Sequence, residues 1–305
     1  MSESDNAIAI PAYIDEAEAR GLLKDLQAAR DDDFGLMCAV LFEPERHDLA
    51  IQAFTPAFER FRDAAPPGAK LHITDAFKFG NELWRPIAEE VRDEYLRLIN
   101  SFKPMIVYSA RRLRLSREAH LRREEMKILA KKAKRSQVRI VGENRPSDAR
   151  IEDDLITCLA LRLDAFAEDV AGQAYNVKQV DLLFDQVDRD LALRYETVIQ
   201  RTREVSVNST KVKGWDPVSR NRREGTIAFK VEAPFRIDTK FIGPIQVIGK
   251  DHPLVLAADI ITNHLAHHLR QLPPQAPLNA PSSIAGWVLG DRVWGVQEDA
   301  IDDIL

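Results

Sequence analysis

Cysteine is nearly absent: the 305-residue chain holds only Cys38 and Cys158, far apart and outside any CxxC spacing. That excludes a disulfide framework and a cysteine zinc site, and both thiols sit in apolar stretches, as buried thiols do. Glycine is sparse, at 13 residues. None falls in a GxGxxG or GxxxxGK pattern, so dinucleotide and P-loop nucleotide binding lack their phosphate cradles. No apolar run approaches the roughly 20 residues of a membrane span. Met1 to Asn6 lacks the basic start and apolar core of a secretory leader, so a cytoplasmic location without membrane association is the expectation. A persuasive serine or cysteine nucleophile elbow is missing as well.

What is present is an ordinary globular composition, 45% apolar with a net charge of −5, long enough to bury a sizeable core in one large domain or two smaller ones. The charge is unevenly spread. From Arg111 to Arg139 twelve Lys or Arg face three acids, Glu118, Glu124 and Glu125, an excess of 12 − 3 = 9. Arg111, Arg112, Arg114, Arg122, Arg123, Lys131, Lys132, Lys134 and Arg135 fall in this stretch, and Arg220, Arg222 and Arg223 in a second one. Such clusters hold a phosphate backbone through counterion release without reading bases, and nucleic acid is the partner they suggest. The alternative is a solvated helix face.

Strands and helices are expected to alternate along the chain, without internal repeats. Residues 7–15, 34–42, 105–109 and 179–184 read as strands, with a further short strand at 71–74 and β-like stretches at 227–231 and 245–248. Apolar spacing predicts helices over 48–65, 81–102, 116–135, 151–172, 189–203 and 254–272. Residues 205–225 have turn and basic character without periodicity. Alternation of this kind implies an α/β layer fold with helices on a central sheet. We expect a main domain over 7–272, with a basic helical insertion around 111–150. A Pro-rich linker and a Trp and acidic tail would follow over 273–305, with Trp287 and Trp294 available as exposed contacts for a protein partner.

The acids are the informative feature. The strand Ile8 to Ile14 runs into Asp15 and Glu16, the strand before Asp185 repeats that pattern, and Asp259 falls on the inward face of the last helix beside Leu256 and Ile260. A lone Asp at a strand end is a turn or cap residue in most proteins. Three carboxylates on apolar elements need compensation, and a bound divalent ion with oxygen ligands, Mg²⁺ or Mn²⁺, is the simplest source. Pairing with Lys and Arg inside the fold is the competing explanation.

Tyr13-Ile14-Asp15-Glu16, Leu71-His72-Ile73-Thr74-Asp75, the strand ending in Asp185 and the helix carrying Ala258-Asp259 resemble the family called domain of unknown function 3800, over about residues 15 to 270. The departures are Ala17-Glu18 where the family has Ser-Gly, and Leu256 where it has glutamine. This resemblance implies a ribonuclease H-like fold, a mixed central sheet flanked by helices, and a metal-dependent nuclease. In that reading Asp15 bridges two metals, Asp185 and Asp259 each complete one shell, and Glu16, Asp75, Asp188 and Asn263 are auxiliary. His72 positions the attacking water or contacts phosphate. Members of the family are often found near bacterial antiphage defence systems, which implies such a role here.

Two function classes therefore stand: a Mg²⁺- or Mn²⁺-dependent nuclease for DNA or RNA, and a catalytically silent ribonuclease H-like subunit that binds nucleic acid or a protein through its C-terminal tail. A zinc site on His264 and His268 is weaker, because Leu265 stands where a metalloprotease helix carries its Glu.

Overall fold

The computed structural model describes residues 7–18, 20, 33–78, 80–132, 138–140, 150–185, 187–204, 207–216, 221–230 and 239–294. In chain order the elements are β1 (Ile8–Glu18), β2 (Phe34–Leu41), α1 (Pro44–Asp63), α2 (Arg85–Phe102), β3 (Met105–Arg112), α3 (Leu113–Lys132) and β4 (Val138–Ile140). There follow α4 (Ile151–Phe166), which runs through a π turn into the single turn α5 (Gly172–Ala174), then β5 (Val177–Phe184), α6 (Arg189–Glu204), β6 (Val207–Asp216), β7 (Asn221–Lys230) and β8 (Ile242–Val247). The last helix is α7 (Pro253–Arg270), and β9 (Ser283–Ile284), β10 (Trp287–Val288) and β11 (Val293–Trp294) complete the chain.

The fold is α/β. One six-stranded sheet has the order β11-β3-β2-β1-β5-β8. β1, β2 and β3 form an antiparallel meander, β5 pairs parallel with β1, β8 with β5, and β11 with β3. Five strands thus point one way and β2 alone runs against them. β2, Phe-Gly-Leu-Met-Cys-Ala-Val-Leu, is buried at every position, because it has a strand on each side and helices over both faces.

The alternation of side chains along β1 separates two cores. Tyr13 packs with α1, α2 and α7 through Phe54, Tyr95, Leu256 and Ile260, whereas Ile14 packs with α4 and α6 through Leu155, Leu159 and Tyr195. Helix ends follow local chemistry. Pro44, Pro86 and Pro253 stand in first turns, where a missing N–H costs nothing. Lys103 ends α2 in the left-handed region at φ 50°, just ahead of Pro104.

Several expectations change. Asp15 is inside β1, which continues to Glu18, so it is a mid-strand acid and does not end the strand. The short strand expected at 71–74 is a coil leading into the 3₁₀ turn Ile73–Phe77. The stretch 205–225 largely forms the β6–β7 hairpin, on whose β6 edge β4 pairs; alternation such as Lys211-Val212-Lys213 was its signal. The residues after α7 double back over the body. Arg112 donates to Pro273 O at 2.8 Å, Tyr108 Oη donates to Leu278 O at 2.9 Å, and Ala280 N donates to Tyr108 Oη at 2.8 Å. Trp287, expected to be exposed, is 1% exposed and joins the first core with Leu278, Ile284 and Leu289. The acids beyond 294 lie outside the described residues. Among those described, no helix is long and apolar enough to cross a membrane.

Candidate metal centre

Asp15 projects from the face of β1 that α7 covers, since it shares the parity of Tyr13. With β2 on one side and β5 on the other, it is 6% exposed. Asp185 directly follows β5, and the register pairs Ile14 with Phe184, so the two carboxylates leave adjacent parallel strands at the same level. Asp259 faces them from the second turn of α7. His72 arrives from the coil before the 3₁₀ turn, whose first amide interactions fix it: Asp75 N donates to His72 O at 3.1 Å, and Ile73 N donates to Asp259 Oδ2 at 2.6 Å.

These elements bring together one ligand-capable atom each from Asp15, His72 and Asp185, all within 4.8 Å of one another. The imidazole lies between carboxylates, with Nε2 3.7 Å from Asp185 Oδ2 and Nδ1 3.5 Å from Asp259 Oδ1. One ring nitrogen is thus directed to the cluster and the other to a carboxylate behind it, the relation in which a second carboxylate orients a ligating histidine. Asp259 itself is engaged at both oxygens: besides Ile73 N, Asn263 Nδ2 donates to Oδ1 at 2.7 Å.

Electrostatics at the site are unbalanced. Burial first, then the charges of Asp259 and Asp185, push the Asp15 carboxyl well above the ordinary carboxylate range, against the pull of the Glu16 backbone N–H. A fourth charged group faces the cluster. Lys250, in the turn between β8 and α7, is 7% exposed, and its Nζ stands 3.5 Å from Asp185 Oδ2. Burial lowers the affinity of this amine for its proton, and Asp185, Asp259 and Asp15 oppose that effect. No local signal marked Lys250, because a lysine in a Gly-Lys-Asp-His turn reads as solvent-exposed.

The remaining expected site residues are distributed elsewhere. Glu16 points to the opposite face, where Tyr195 Oη donates to it at 3.2 Å and Arg20 pairs with it at 3.0 Å; burial, with Glu152 adding to it and Arg20 opposing, raises its carboxyl. Asp75 pairs with Lys78 and accepts from Asn81 Nδ2 at its carbonyl, 2.7 Å. Asp188 caps α6, accepting from Leu191 N at 2.8 Å. Asn263 supports Asp259 as above.

The basic residues divide. Arg111 and Arg112 belong to β3 and are buried, Arg111 beside Asp154 at 3.8 Å and Arg112 bonded to Pro273 and Ala276 carbonyls, so these two hold the fold and do not offer a phosphate-binding surface. Arg114 and Arg122 are exposed on α3, both flanking Glu118. Arg123, Lys131 and Lys132 lie on α3, and Arg222 and Arg223 on β7, with side chains outside the described ones, as are Lys134, Arg135 and Arg220 altogether.

The donor set, two carboxylates and an imidazole beside a third carboxylate, suits a divalent cation of intermediate hardness. Comparison of the chain with protein-family models, with curated proteins and with solved structures finds no match.

Proposed function

We propose that this chain is a divalent-metal-dependent phosphodiesterase that hydrolyses the backbone of DNA or RNA on a ribonuclease H-like scaffold. The observation that carries the reading is the convergence of Asp15, His72 and Asp185 within 4.8 Å, backed by Asp259, in a chain without a nucleophile elbow. The sheet supports it as well: an antiparallel meander continued by parallel strands, with one acid on its first strand and another closing the neighbouring parallel strand, agrees with what the family resemblance implies.

Asp15, His72 and Asp185 would hold the ion. A bound Mg²⁺ or Mn²⁺ supplies Lewis acidity toward a phosphoryl oxygen and lowers the pKa of a bound water, and an imidazole among the ligands favours Mn²⁺ over Mg²⁺. The chain's own groups set the geometry. Asp259 orients His72 through Nδ1 and fixes its loop through Ile73 N, while burial under α7 keeps the carboxylates poorly hydrated and hence strongly attractive to a cation. Exposed Arg114 and Arg122 supply positive charge for a polyanion. A role in antiphage defence follows from the resemblance alone.

The decisive assay is cleavage of labelled single- and double-stranded DNA and RNA with Mn²⁺ or Mg²⁺, comparing the protein with Asp15→Asn and Asp185→Asn. Metal-dependent products that both substitutions abolish are the expected result; equal activity in the variants overturns the reading. One observation favours a catalytically silent nucleic-acid- or protein-binding subunit: Lys250 pairs with Asp185, so part of the acid charge is met within the fold. In that case neither cleavage nor Mn²⁺ binding is observed.

A further inference from the structure

The cluster contains a cation of its own. Lys250 Nζ is sealed from solvent, and its contact with Asp185 spans 3.5 Å, long for a charge-assisted contact. Placing an ammonium in a buried position costs several kcal/mol unless a counter-charge is provided. The counter-charges here are Asp185, Asp259 and Asp15, all of which act on it. Its place in the fold is fixed at both ends: Gly249 before it takes φ +73°, a conformation that side chains rarely adopt, and α7 begins at Pro253 just after it.

Charge counting then limits what else the pocket can accept. Three carboxylates contribute −3; Lys250 contributes +1 and a single divalent ion +2, so −3 + 1 + 2 = 0. A second divalent ion would leave +2 in a pocket whose acids are at most 15% exposed in their side chains, an imbalance that buried sites do not tolerate without further ligands. Asp15, His72 and Asp185 form one compact ligand group, and Asp259, which accepts one hydrogen bond at each oxygen, keeps lone pairs that a second ion could use once the charge of Lys250 is removed.

We propose that the Lys250 ammonium occupies the second cation position of this centre, so that the chain binds one divalent ion and Lys250 takes over the electrostatic task of the other toward a bound phosphate. This rests on the metal reading above and modifies the two-metal arrangement that the family resemblance implies. Lys250 would act on the substrate phosphate through its charge from within the fold, without contacting it, fixed in place and needing no reorganisation as charge develops.

The test is the Mn²⁺ stoichiometry of the full chain, measured by calorimetry and by loss of the free-ion electron paramagnetic resonance signal, for the unsubstituted protein, Lys250→Arg and Lys250→Met. One ion per chain is expected for the first two, and two ions for Lys250→Met, where the vacated position is neutral and the acids are uncompensated. Lys250→Gln repeats the count with a polar side chain if the methionine variant does not fold. Two ions in the unsubstituted protein, or one ion in both neutral variants, overturn the inference while leaving the metal site intact. No ion in the unsubstituted protein removes the metal reading and the inference together.

Discussion

The backbone amide of Ile73 donates to Asp259 Oδ2 at 2.6 Å, joining positions 186 residues apart. That bond couples the last helix to the coil carrying His72, and the other Asp259 oxygen stands 3.5 Å from His72 Nδ1. One carboxylate therefore fixes both where the histidine's backbone lies and which way its ring faces. In the proposed metal site Asp259 would orient the histidine, and Asp15 and Asp185 would be the direct oxygen donors.

This makes Asp259 and Asp15 separable by substitution. Asp259→Ala removes the acceptor for a buried amide, which costs about 1–3 kcal/mol, and loosens an orienting partner, worth about 10–100-fold in metal affinity. Urea denaturation and Mn²⁺ titration measure the two losses. Unchanged affinity at reduced stability would restrict Asp259 to a purely structural role.

Asp15→Asn has the opposite effect on the metal-free protein. The Asp15 carboxyl is driven upward by burial and by Asp259 and Asp185, so an amide of the same shape relieves repulsion. Melting temperature in chelator should rise, by about 2–4 °C for each kcal/mol relieved in a chain of this size. Added Mn²⁺ should raise the melting temperature of the parent protein through preferential binding to the folded state, and leave that of the variant unchanged. A variant that melts lower in chelator contradicts the electrostatic account.

Acid should destabilise the metal-free protein through His252. Burial, with His47 nearby, lowers its affinity for a proton, so its folded pKa lies below the unfolded value of about 6.5. A depressed folded pKa means that the contribution is complete above the unfolded value and is lost as pH falls toward the folded one. His252 Nδ1 also accepts from Leu254 N at 3.2 Å as the N-cap of α7, a role asparagine performs well. His252→Asn should therefore reduce the loss of melting temperature between pH 7 and 5; His264, whose imidazole is lowered by burial too, retains its share. An identical pH profile in the variant rules this out.

Trp287→Ala should cost about 3–5 kcal/mol, the range for emptying a buried aromatic site, because Trp287 is enclosed with Leu278, Ile284 and Leu289 against the α7 side of the sheet. Chemical denaturation gives the value. A change within about 0.5 kcal/mol, the range for exposed positions, would mean that the segment after α7 is not part of the core in solution.

Much of the fold was legible in local pattern. β2 is the run of apolar residues that a doubly covered sheet requires, β5 keeps an apolar set at Val177, Val180, Leu182 and Phe184 interrupted by polar residues, and α2, α6 and α7 carry helical apolar spacing with proline or an acid in the first turn. Asp15, Asp185 and Asp259 stood out because each puts a charge on an apolar element, a conflict visible without coordinates. Less was legible where partners are distant in sequence. Arg111 and Arg112 read as surface charge, and only the packing of α4 and of the returning C-terminal segment shows them buried. Trp287 read as an exposed contact, and its enclosure depends on a chain reversal that no local motif encodes.

Most elements, and the acids they carry, can be read from the order of residues, because periodicity, caps and the cost of a charge among apolar neighbours are local; the strand expected at 71–74 and the β6–β7 hairpin are the exceptions. Only the packed fold brings Asp15, His72 and Asp185 together, sets Asp259 behind the histidine and turns Lys250 toward the same cluster. Strand order and the seating of α7 set distances between residues far apart in the chain, and it is distance that turns separate charges into one electrostatic site.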